Sequence, residues 1–239
     1  MNYIFDIDGT LTPSRLPIDQ EFETFFLEWM KGKDVYLVTG SDKDKTIEQV
    51  GEKIWTNCKR AYQSCGNAVY EGGKLIRQLD LEVDNEIYDL LETFVDKSDW
   101  LYKFGNHIEE RIGLLNFSTI GRNCPQNQRD DYYAWDQINK ERKTLCKIIE
   151  DAYPDLEATV GGQISIDIYP KGKNKAQVLD DIKGPVTFFG DKCQPGGNDF
   201  PIVERLWKLN EDTKLGITIH EVTNWTDTWE ILKGFQPAY

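Results

Sequence analysis

The stretch YIFDIDGTLTPSR, residues 3–15, decides which fold the sequence predicts. A short apolar run leads directly into Asp6 and Asp8, and a Gly-Thr pair follows them. An apolar run that ends in turn residues is typical of a buried strand. In open α/β sheets, ligands bind beyond the carboxyl ends of the strands. We therefore expect both carboxylates at the ligand-binding edge of a sheet.

Strands and helices alternate on both sides of the middle of the chain. In the first part we expect a strand at 34–41, a helix from 42 to 54 with Asp42 as its N-cap, and a hairpin at 68–76. After residue 171 we expect a helix at 174–182, a strand at 185–191, a helix at 198–207, a strand at 214–222 and a helix at 227–235. This alternation predicts an α/β fold with a parallel, doubly wound, Rossmann-like sheet.

The middle of the chain has a different pattern, in which strands and helices are segregated. It contains an isolated strand, a first helix, extended segments at 109–122 and 161–170, and a second helix from about Trp135 to Ala152. The apolar residues of the first helix are Ile87, Leu90, Leu91, Phe94 and Val95. We therefore predict a discontinuous α/β core, residues 1–78 and 172–239, interrupted by an α+β module, residues 79–171.

Composition restricts the partners and the compartment of the protein. The formal net charge is −13, from 41 acidic and 28 basic residues, which disfavours nucleic acids and anionic membranes. No apolar stretch approaches 18 residues, and the N-terminus has no secretory pattern. The five cysteines are scattered and odd in number, which favours reduced thiols. We expect a cytoplasmic protein with no membrane association.

Polar residues follow three of the predicted core strands. Asp6 and Asp8 follow the first, Thr39 and Ser41 the second, and Asp191 the third, while Lys175 begins the helix after the inserted module. Clustered carboxylates repel one another unless a cation lies among them, and Mg²⁺ prefers such hard oxygen ligands. A carboxylate beside Mg²⁺ and a lysine can attack phosphorus, and a second acid can move the proton. We expect Asp6 to be the nucleophile and Asp8 the general acid and base.

Taken in order, DIDGT, VTGS, Lys175 and GDKCQPGGND resemble the four motifs of the haloacid dehalogenase superfamily of phosphotransferases. The resemblance implies a Rossmann-like core with an inserted cap of the α+β type called C2. It also implies Mg²⁺ bound by Asp6, Asp8 and Asp191. Thr39 and Ser41 are both candidates for binding the transferred phosphate.

The inserted module has polar residues suited to a sugar phosphate. Arginine guanidinium groups pair with phosphate oxygens, and an Asp next to a Ser suits sugar hydroxyls. Ser165 and Asp167 share one face of a predicted strand, because the isoleucines between them occupy the other face. The candidate phosphate ligands are Arg111, Arg122 and Arg129.

The chain also resembles the eukaryotic-type phosphomannomutase family, nearly from end to end. The resemblance is carried by FDIDGTLTPSR, GSDKDK, RIGLLNFSTIGRNC, Arg129, GGQISIDIYP and FFGDKCQPGGND. It implies reversible conversion of hexose (mannose) 6-phosphate to hexose 1-phosphate, with a hexose 1,6-bisphosphate as activator and intermediate. It implies a homodimer formed through the caps. It implies that the substrate ligands are Arg15, Arg111, Arg122, Arg129, Ser165 and Asp167.

Two departures and two alternative functions remain. Lys173-Asn174 stands where the family usually has Trp-Asp. Arg205 stands where an acid is expected in the loop that often helps to bind a further cation, so the resemblance implies no second cation site at this loop. The alternatives are a Mg²⁺-dependent sugar-phosphate phosphatase of the same superfamily and a non-catalytic sugar-phosphate binding module. The module arginines favour the mutase, because a phosphatase needs to hold only one phosphate.

Overall fold

The computed structural model describes residues 1–213 and 216–235, without the side chains of residues 212 and 213. The chain forms two compact units. The core unit comprises Met1–Gln78, Lys175–Pro195 and residues 199 onward, and the inserted unit comprises Leu79–Asn174 with the short segment Gly196–Asn198. The unit boundaries predicted from the sequence lie after residues 78 and 171, and those of the structure lie after residues 78 and 174.

The elements alternate in the first part of the core unit and then become segregated. In chain order they are β1 (Asn2–Asp6), α1 (Gln20–Trp29), β2 (Asp34–Val38), α2 (Lys43–Asn57), β3 (Arg60–Gln63), β4 (Ala68–Glu71) and β5 (Lys74–Gln78). The inserted unit contains α3 (Glu86–Lys97), β6 (Ile108–Arg111), β7 (Leu114–Phe117), α4 (Gln126–Asn139), α5 (Glu141–Ala152), β8 (Leu156–Gly161) and β9 (Ser165–Pro170). The core unit resumes with β10 (Val186–Gly190), α6 (Phe200–Thr213), β11 (Ile217–Glu221) and α7 (Trp225–Gly234).

The core sheet has the strand order β11-β10-β1-β2-β3-β4-β5. The strands from β11 to β3 are parallel, and β4 and β5 add an antiparallel hairpin at one edge. Successive residues of β1 point to opposite faces, so Phe5 packs in one apolar cluster and Ile4 in another. Burial on both faces explains the continuous apolar run before Asp6. The predicted α/β class with a parallel sheet is correct.

The sheet of the inserted unit is antiparallel, with the order β6-β7-β9-β8. One face of it packs against α3 and α5 through a cluster that includes Leu91, Phe117 and Ile149. Ile166 and Ile168 of β9 belong to this cluster, which places Ser165 and Asp167 on the other face of the strand.

Two predicted helices are wrong in form. The helix expected from Trp135 to Ala152 is two helices, because Lys140 adopts a left-handed conformation with φ 57° and ends α4. The segment expected as a helix at 174–182 contains a 3-10 helix, Lys175–Asp180, in which five successive residues are buried. A 3-10 helix is wound more tightly than the predicted α-helix, with hydrogen bonds between residues three apart.

The remaining elements lie close to their predicted positions. Asp42 caps α2 as expected, since its carboxylate accepts a hydrogen bond of 2.8 Å from the Lys45 amide. The strand expected at 214–222 is β11, and Lys214 and Leu215 lie outside the described residues. Within the described part of the chain, every helix is too short or too polar to cross a lipid bilayer.

Candidate active site

The centre of the core site is a buried lysine between two aspartates. Nζ of Lys175 donates to Oδ1 of Asp6 at 2.6 Å and to Oδ1 of Asp199 at 2.8 Å. All three side chains are at most 3% exposed. The other oxygen of Asp6 accepts a hydrogen bond of 3.2 Å from the hydroxyl of Thr10. Asp6 is therefore held in one orientation by donors on both of its oxygens.

The fold brings these residues together from distant parts of the sequence. Asp6 is the last residue of β1, and Lys175 begins the 3-10 helix that follows the inserted unit. Asp199 immediately precedes α6. Its second oxygen accepts from the amide of Lys192 at 3.1 Å, which ties it to the loop after β10. The site thus lies beyond the carboxyl ends of the strands, as the sequence predicts for an open α/β sheet.

The electrostatics of the site reflect three carboxylates near two lysines: Lys175 contacts Asp6 and Asp199, and Lys192 lies 3.9 Å from Asp191. Burial raises the pKa of Asp6 well above its ordinary value; the charge of Asp199 raises it further and Lys175 opposes the rise. Burial alone would lower the pKa of Lys175, but the charges of Asp199 and Asp6 hold it well above its ordinary value. Burial also raises the pKa of Asp191 to about 6. The lysine is charged, and the group as a whole has an excess of negative charge.

Three aspartate side chains of the site together have the composition of a divalent-cation site. Among the described residues, Asp6, Asp191 and Asp199 each place a carboxylate oxygen within 4.8 Å of the others. Hard oxygen ligands in this arrangement suit Mg²⁺. The backbone at Gly9 also lies against Asp191, because a Cβ at Gly9 would lie 2.5 Å from Oδ2 of Asp191. Gly9 has φ 83°, so this turn requires glycine for two reasons.

The carboxylate of Asp8, a residue that the resemblance implies as a Mg²⁺ ligand, is held by two donors of its own. Its Oδ1 accepts hydrogen bonds from the Arg15 amide at 2.6 Å and from Nε2 of Gln49 at 2.9 Å. Gln49 is buried and also donates to the hydroxyl of Thr12 at 3.0 Å. The structure therefore groups Asp199 with Asp6 and Asp191, and it holds the Asp8 carboxylate separately. That position suits a residue that moves protons.

The other predicted core residues lie in the same loops. Arg15 has φ 61°, a left-handed conformation that points its amide at Asp8. Thr39 and Ser41 follow β2 and are buried. The hydroxyl of Thr39 accepts from the amide of Ser41 at 3.1 Å, so it already caps its own loop.

Five polar side chains form a hydrogen-bonded cluster in the inserted unit, and three of them, Asn116, Ser165 and Asp167, are buried. Arg122 donates to the side-chain oxygen of Asn116 and, at 3.1 Å, to the hydroxyl of Ser165. Asn116 in turn donates to Oδ1 of Asp167 at 2.6 Å. Arg122 also pairs with Glu109 at 2.5 Å. Ser165 and Asp167 are therefore brought together with Arg122 on one face of the sheet.

The two other predicted arginines lie next to this cluster. Arg111 pairs with the same carboxylate oxygen of Glu109 at 2.9 Å, so one acid joins Arg111 and Arg122. Arg129, on the first turn of α4, donates to the backbone oxygen of Arg122 at 2.7 Å and to that of Cys124 at 3.4 Å. It is 7% exposed. Arg129 therefore supports the chain segment that carries Arg122.

A glycine makes room for the acid of this cluster. Gly161 on β8 pairs with Ser165 on β9. A Cβ at Gly161 would lie 2.5 Å from Oδ2 of Asp167, so any larger residue there would displace the carboxylate. We call the set Asn116, Arg122, Ser165 and Asp167 the polar face of the inserted unit.

Sequence reasoning missed several residues of both sets. Asp199 was within the quoted GGND motif, and its position before an amphipathic helix was a usable signal. Gln49, Asn116 and Glu109 had no such signal, since an amide or acid on a helix or strand is most often solvated. The substitution of Arg for an acid at position 205 is accommodated locally: Arg205 pairs with Asp180 at 2.6 Å.

Comparisons with known proteins agree on both the family and the fold. The family model described as eukaryotic phosphomannomutase matches residues 22–235, a range that begins after Asp6 and Asp8. A phosphomannomutase of Nicotiana benthamiana is 35% identical over 211 residues, which are 84% of each chain. A phosphomannomutase of Triticum aestivum is 33% identical over 236 residues, 94% of this chain and 91% of the relative.

Solved structures with low sequence identity share the fold. The C-terminal domain of Candida albicans trehalose-6-phosphate phosphatase superposes with a TM-score of 0.66 at 16% identity, covering 96% of this chain and 89% of that chain. A haloacid dehalogenase-like hydrolase from Bacteroides thetaiotaomicron superposes with a TM-score of 0.57 at 13% identity, covering 98% of each chain. The chain therefore shares its fold with these two proteins.

Proposed function

The chain belongs to the eukaryotic phosphomannomutase family, and from this premise we propose that it interconverts hexose 6-phosphate and hexose 1-phosphate, with mannose as the hexose. The observation that carries the proposal is the buried contact between Asp6 and Lys175 at the carboxyl edge of the sheet. The charged Lys175 contacts only Oδ1 of Asp6, so it orients the carboxylate without occupying both of its oxygens. The second acid, Asp8, is held apart by Gln49.

The first half-reaction transfers a phosphoryl group from the hexose 1,6-bisphosphate to Asp6. A carboxylate oxygen of Asp6 attacks the phosphorus and forms an acyl phosphate, while the bond between phosphorus and the sugar oxygen breaks. Asp8 donates its proton to that leaving oxygen, so a hexose monophosphate departs with a new hydroxyl group. Which monophosphate forms depends on which end of the bisphosphate faces Asp6.

The second half-reaction reverses these events at the other end of a sugar. Asp8, now ionised, removes the proton from the hydroxyl of an incoming hexose monophosphate. The sugar oxygen attacks the acyl phosphate on Asp6, which regenerates the carboxylate and the bisphosphate. The phosphoryl group is conserved throughout, so no net hydrolysis is required.

Mg²⁺ fits the carboxylate group of Asp6, Asp191 and Asp199. When bound, Mg²⁺ would neutralise the excess negative charge of the site and that of the phosphate oxygens. Lys175 adds a fixed positive charge next to Asp6, within a buried site where such a charge acts strongly. The pairing of Lys175 with Asp199 also keeps its ammonium group in place when Asp6 is phosphorylated.

The polar face of the inserted unit supports mutase chemistry over simple hydrolysis. Arg122, with Arg111 and Arg129 beside it, supplies guanidinium groups suited to a phosphate, and Ser165 with Asp167 suits hydroxyl groups of a sugar. A mutase must grip the phosphate that is not reacting. The phosphatase alternative needs no such second anionic handle.

Phosphorus NMR of the purified protein tests the proposal. With mannose 1-phosphate, Mg²⁺ and a trace of hexose 1,6-bisphosphate, we expect a mannose 6-phosphate signal with little inorganic phosphate, and faster conversion as bisphosphate is added. Release of inorganic phosphate in step with substrate loss, without a response to bisphosphate, would establish the phosphatase instead. Substrate signals that shift on binding but are not converted to any product would establish the non-catalytic module.

We also propose a homodimer formed through the inserted unit. Its support is the exposure of large apolar side chains in this unit: Leu101 is 85% exposed and Ile138 is 82% exposed. Light scattering coupled to size exclusion tests this proposal. We expect the mass of two chains for the wild type and of one chain for a Leu101→Asp/Ile138→Asp variant. A wild type that elutes as a monomer at all concentrations would refute it.

A further inference from the structure

A buried ion pair in the inserted unit lies outside every predicted site. Nε of Arg142, on α5, donates to Oδ2 of Asp136, on α4, at 2.9 Å. Arg142 is 1% exposed and Asp136 is 4% exposed, so both are among the most completely buried charged residues of the described chain. A buried ion pair is a poor source of stability, because desolvation offsets the attraction between the charges. The pair is therefore better explained by what it holds in place than by its contribution to stability.

The pair joins the two helices at the point where the chain turns. Lys140 ends α4 in a left-handed conformation, and α5 begins directly after it. Oδ1 of Asp136 accepts from the backbone amide of Arg142 at 2.9 Å and so caps the first turn of α5. The side chain of Asp136 thereby fixes both the start of α5 and the direction of the Arg142 side chain.

Arg142 extends from this junction to the turn between β8 and β9. Its Nη1 lies within hydrogen-bond distance of three backbone oxygens, those of Gly161 at 3.1 Å, Gly162 at 3.3 Å and Ser165 at 3.3 Å. Each of these residues either belongs to the polar face or borders it. Ser165 in particular is held from two sides, since its carbonyl accepts from Arg142 while its hydroxyl accepts from Arg122.

The other partner of the pair is connected to the polar face through α4. Arg129 and Asp136 are seven residues apart on this helix, so they lie on the same side of it. Arg129 donates to the backbone of Arg122 at 2.7 Å. A shift of α4 would therefore move the support of Arg122, and a shift of the β8–β9 turn would move Ser165.

We propose that the Arg142–Asp136 pair is a positioning device for substrate recognition, which keeps α4 and the β8–β9 turn in register so that Arg122, Ser165 and Asp167 converge. Neither residue touches substrate. The inference rests on the proposed function for its kinetic consequence, but its structural consequence can be measured without any turnover. Because misplacing a binding group by about 1 Å can cost as much as ~10²-fold, loss of the pair should act mainly on KM.

The first test uses Arg142→Gln with Arg142→Lys as the conservative variant and Leu145→Ala as a control. Leu145 lies on α5, one turn after Arg142, and packs in the apolar cluster, so its truncation destabilises the same helix without touching the β8–β9 turn contacts. We expect Arg142→Gln to raise the KM for mannose 1-phosphate about tenfold with kcat changed less than threefold. Arg142→Lys should recover part of the loss. Leu145→Ala, with a thermal midpoint similar to that of Arg142→Gln, should have a KM near the wild-type value. A KM in Arg142→Gln that equals that of Leu145→Ala would overturn the proposal.

The second test guards against a variant that fails to fold. Replacing a buried ion pair with apolar residues of similar volume often preserves stability. The double variant Asp136→Leu/Arg142→Met should therefore leave no unpaired buried charge, although the three backbone oxygens that Arg142 contacts lose their donor. Amide hydrogen exchange in peptides covering 156–170 should be faster than in the wild type, relative to peptides covering α3. A stable double variant with wild-type exchange in these peptides would refute positioning by the pair. If the wild type proves to be no mutase, the proposed function fails, and this exchange experiment still decides the inference.

Discussion

Nζ of Lys175 lies 2.6 Å from Oδ1 of Asp6, although 169 positions separate the two residues in the sequence. The main segment of the inserted unit, Leu79–Asn174, lies between them in the chain. The same ammonium group also contacts Asp199, so one buried cation serves two buried acids. Much of the behaviour of the core site follows from this ratio of charges.

Asp6→Asn should abolish turnover while the fold is retained. An amide cannot form the acyl phosphate, and a loss of ~10³-fold or more corresponds to about 4 kcal/mol of barrier. Rates from the phosphorus NMR assay and a base-labile phospho-enzyme detected with labelled bisphosphate provide the measurements. Asp34→Asn, in a half-exposed surface ion pair with Lys59, is the matched control. Activity of Asp6→Asn within tenfold of that control would exclude covalent catalysis by Asp6.

Lys175→Met should destabilise the protein in the absence of a divalent cation. It leaves the buried carboxylates of Asp6 and Asp199 without their shared partner, and breaking a buried pair typically costs about 3–5 kcal/mol. Protonation of Asp6 relieves the repulsion, so the loss should be larger at pH 8 than at pH 5. Chemical denaturation at both pH values measures it. Lys59→Met removes an exposed lysine and should change stability by less than about 1 kcal/mol; equal losses in the two variants would contradict the assignment.

Asp191→Asn should stabilise the metal-free protein at neutral pH. Burial raises the folded-state pKa of Asp191 to about 6, above its unfolded value of about 4, so its contribution to stability is lost as the pH rises between these values. The amide of Asn does not ionise, so the free energy of unfolding of the variant should not fall in this way. It should exceed that of the wild type by about 1–3 kcal/mol at pH 7 and equal it at pH 4.

Added Mg²⁺ should reverse the order of stability of these two proteins. The wild type gains a ligand that binds only the folded state, whereas Asp191→Asn has lost one of three carboxylates. Thermal midpoints with EDTA and with Mg²⁺ give the comparison. Equal stabilisation of both proteins by Mg²⁺ would show that Asp191 is not a ligand.

Arg129→Ala should weaken the binding of sugar phosphates for two reasons. It removes a guanidinium group next to the polar face, and it removes the donors that hold the backbone at Arg122 and Cys124. Charge-assisted contacts of this kind are worth about 1.5–3 kcal/mol. Calorimetric titration with mannose 1-phosphate should show a loss of that size, while Arg77→Ala, a half-exposed arginine of the core unit, should bind normally. Unaltered affinity of Arg129→Ala would remove it from the binding site.

The sequence was informative wherever a signal was local. The apolar run before Asp6, the cap at Asp42 and the hairpin at residues 68–76 depend on neighbouring residues, and the structure contains all three features. Ser165 and Asp167 were placed on one strand face by alternation alone, and they share that face in the structure.

Features that depend on distant contacts could not be obtained in this way. The break at Lys140 does not interrupt the helical spacing of apolar residues, because a single left-handed residue redirects the axis without changing the pattern on either side. Asp136 and Arg142 each resemble residues of a solvated helix face, and only the β8–β9 turn shows why both are buried. The sequence could not show that Asp199 pairs with Lys175, because the two residues are 24 positions apart.

The position of β1 inside the sheet also matters while the protein is being synthesised. β1 pairs with β2 on one side and with β10 on the other, and the second pairing joins Asn2 to Val186. At ~5–20 residues per second, roughly 10–40 s pass between the emergence of these two strands from the ribosome. During that time the apolar strand that ends in Asp6 has an unpaired edge, which is a template for aggregation. A chain truncated after Gly184 should therefore sediment as aggregates. A soluble monomer of that length would show that the edge of β1 that pairs with β10 is protected in another way.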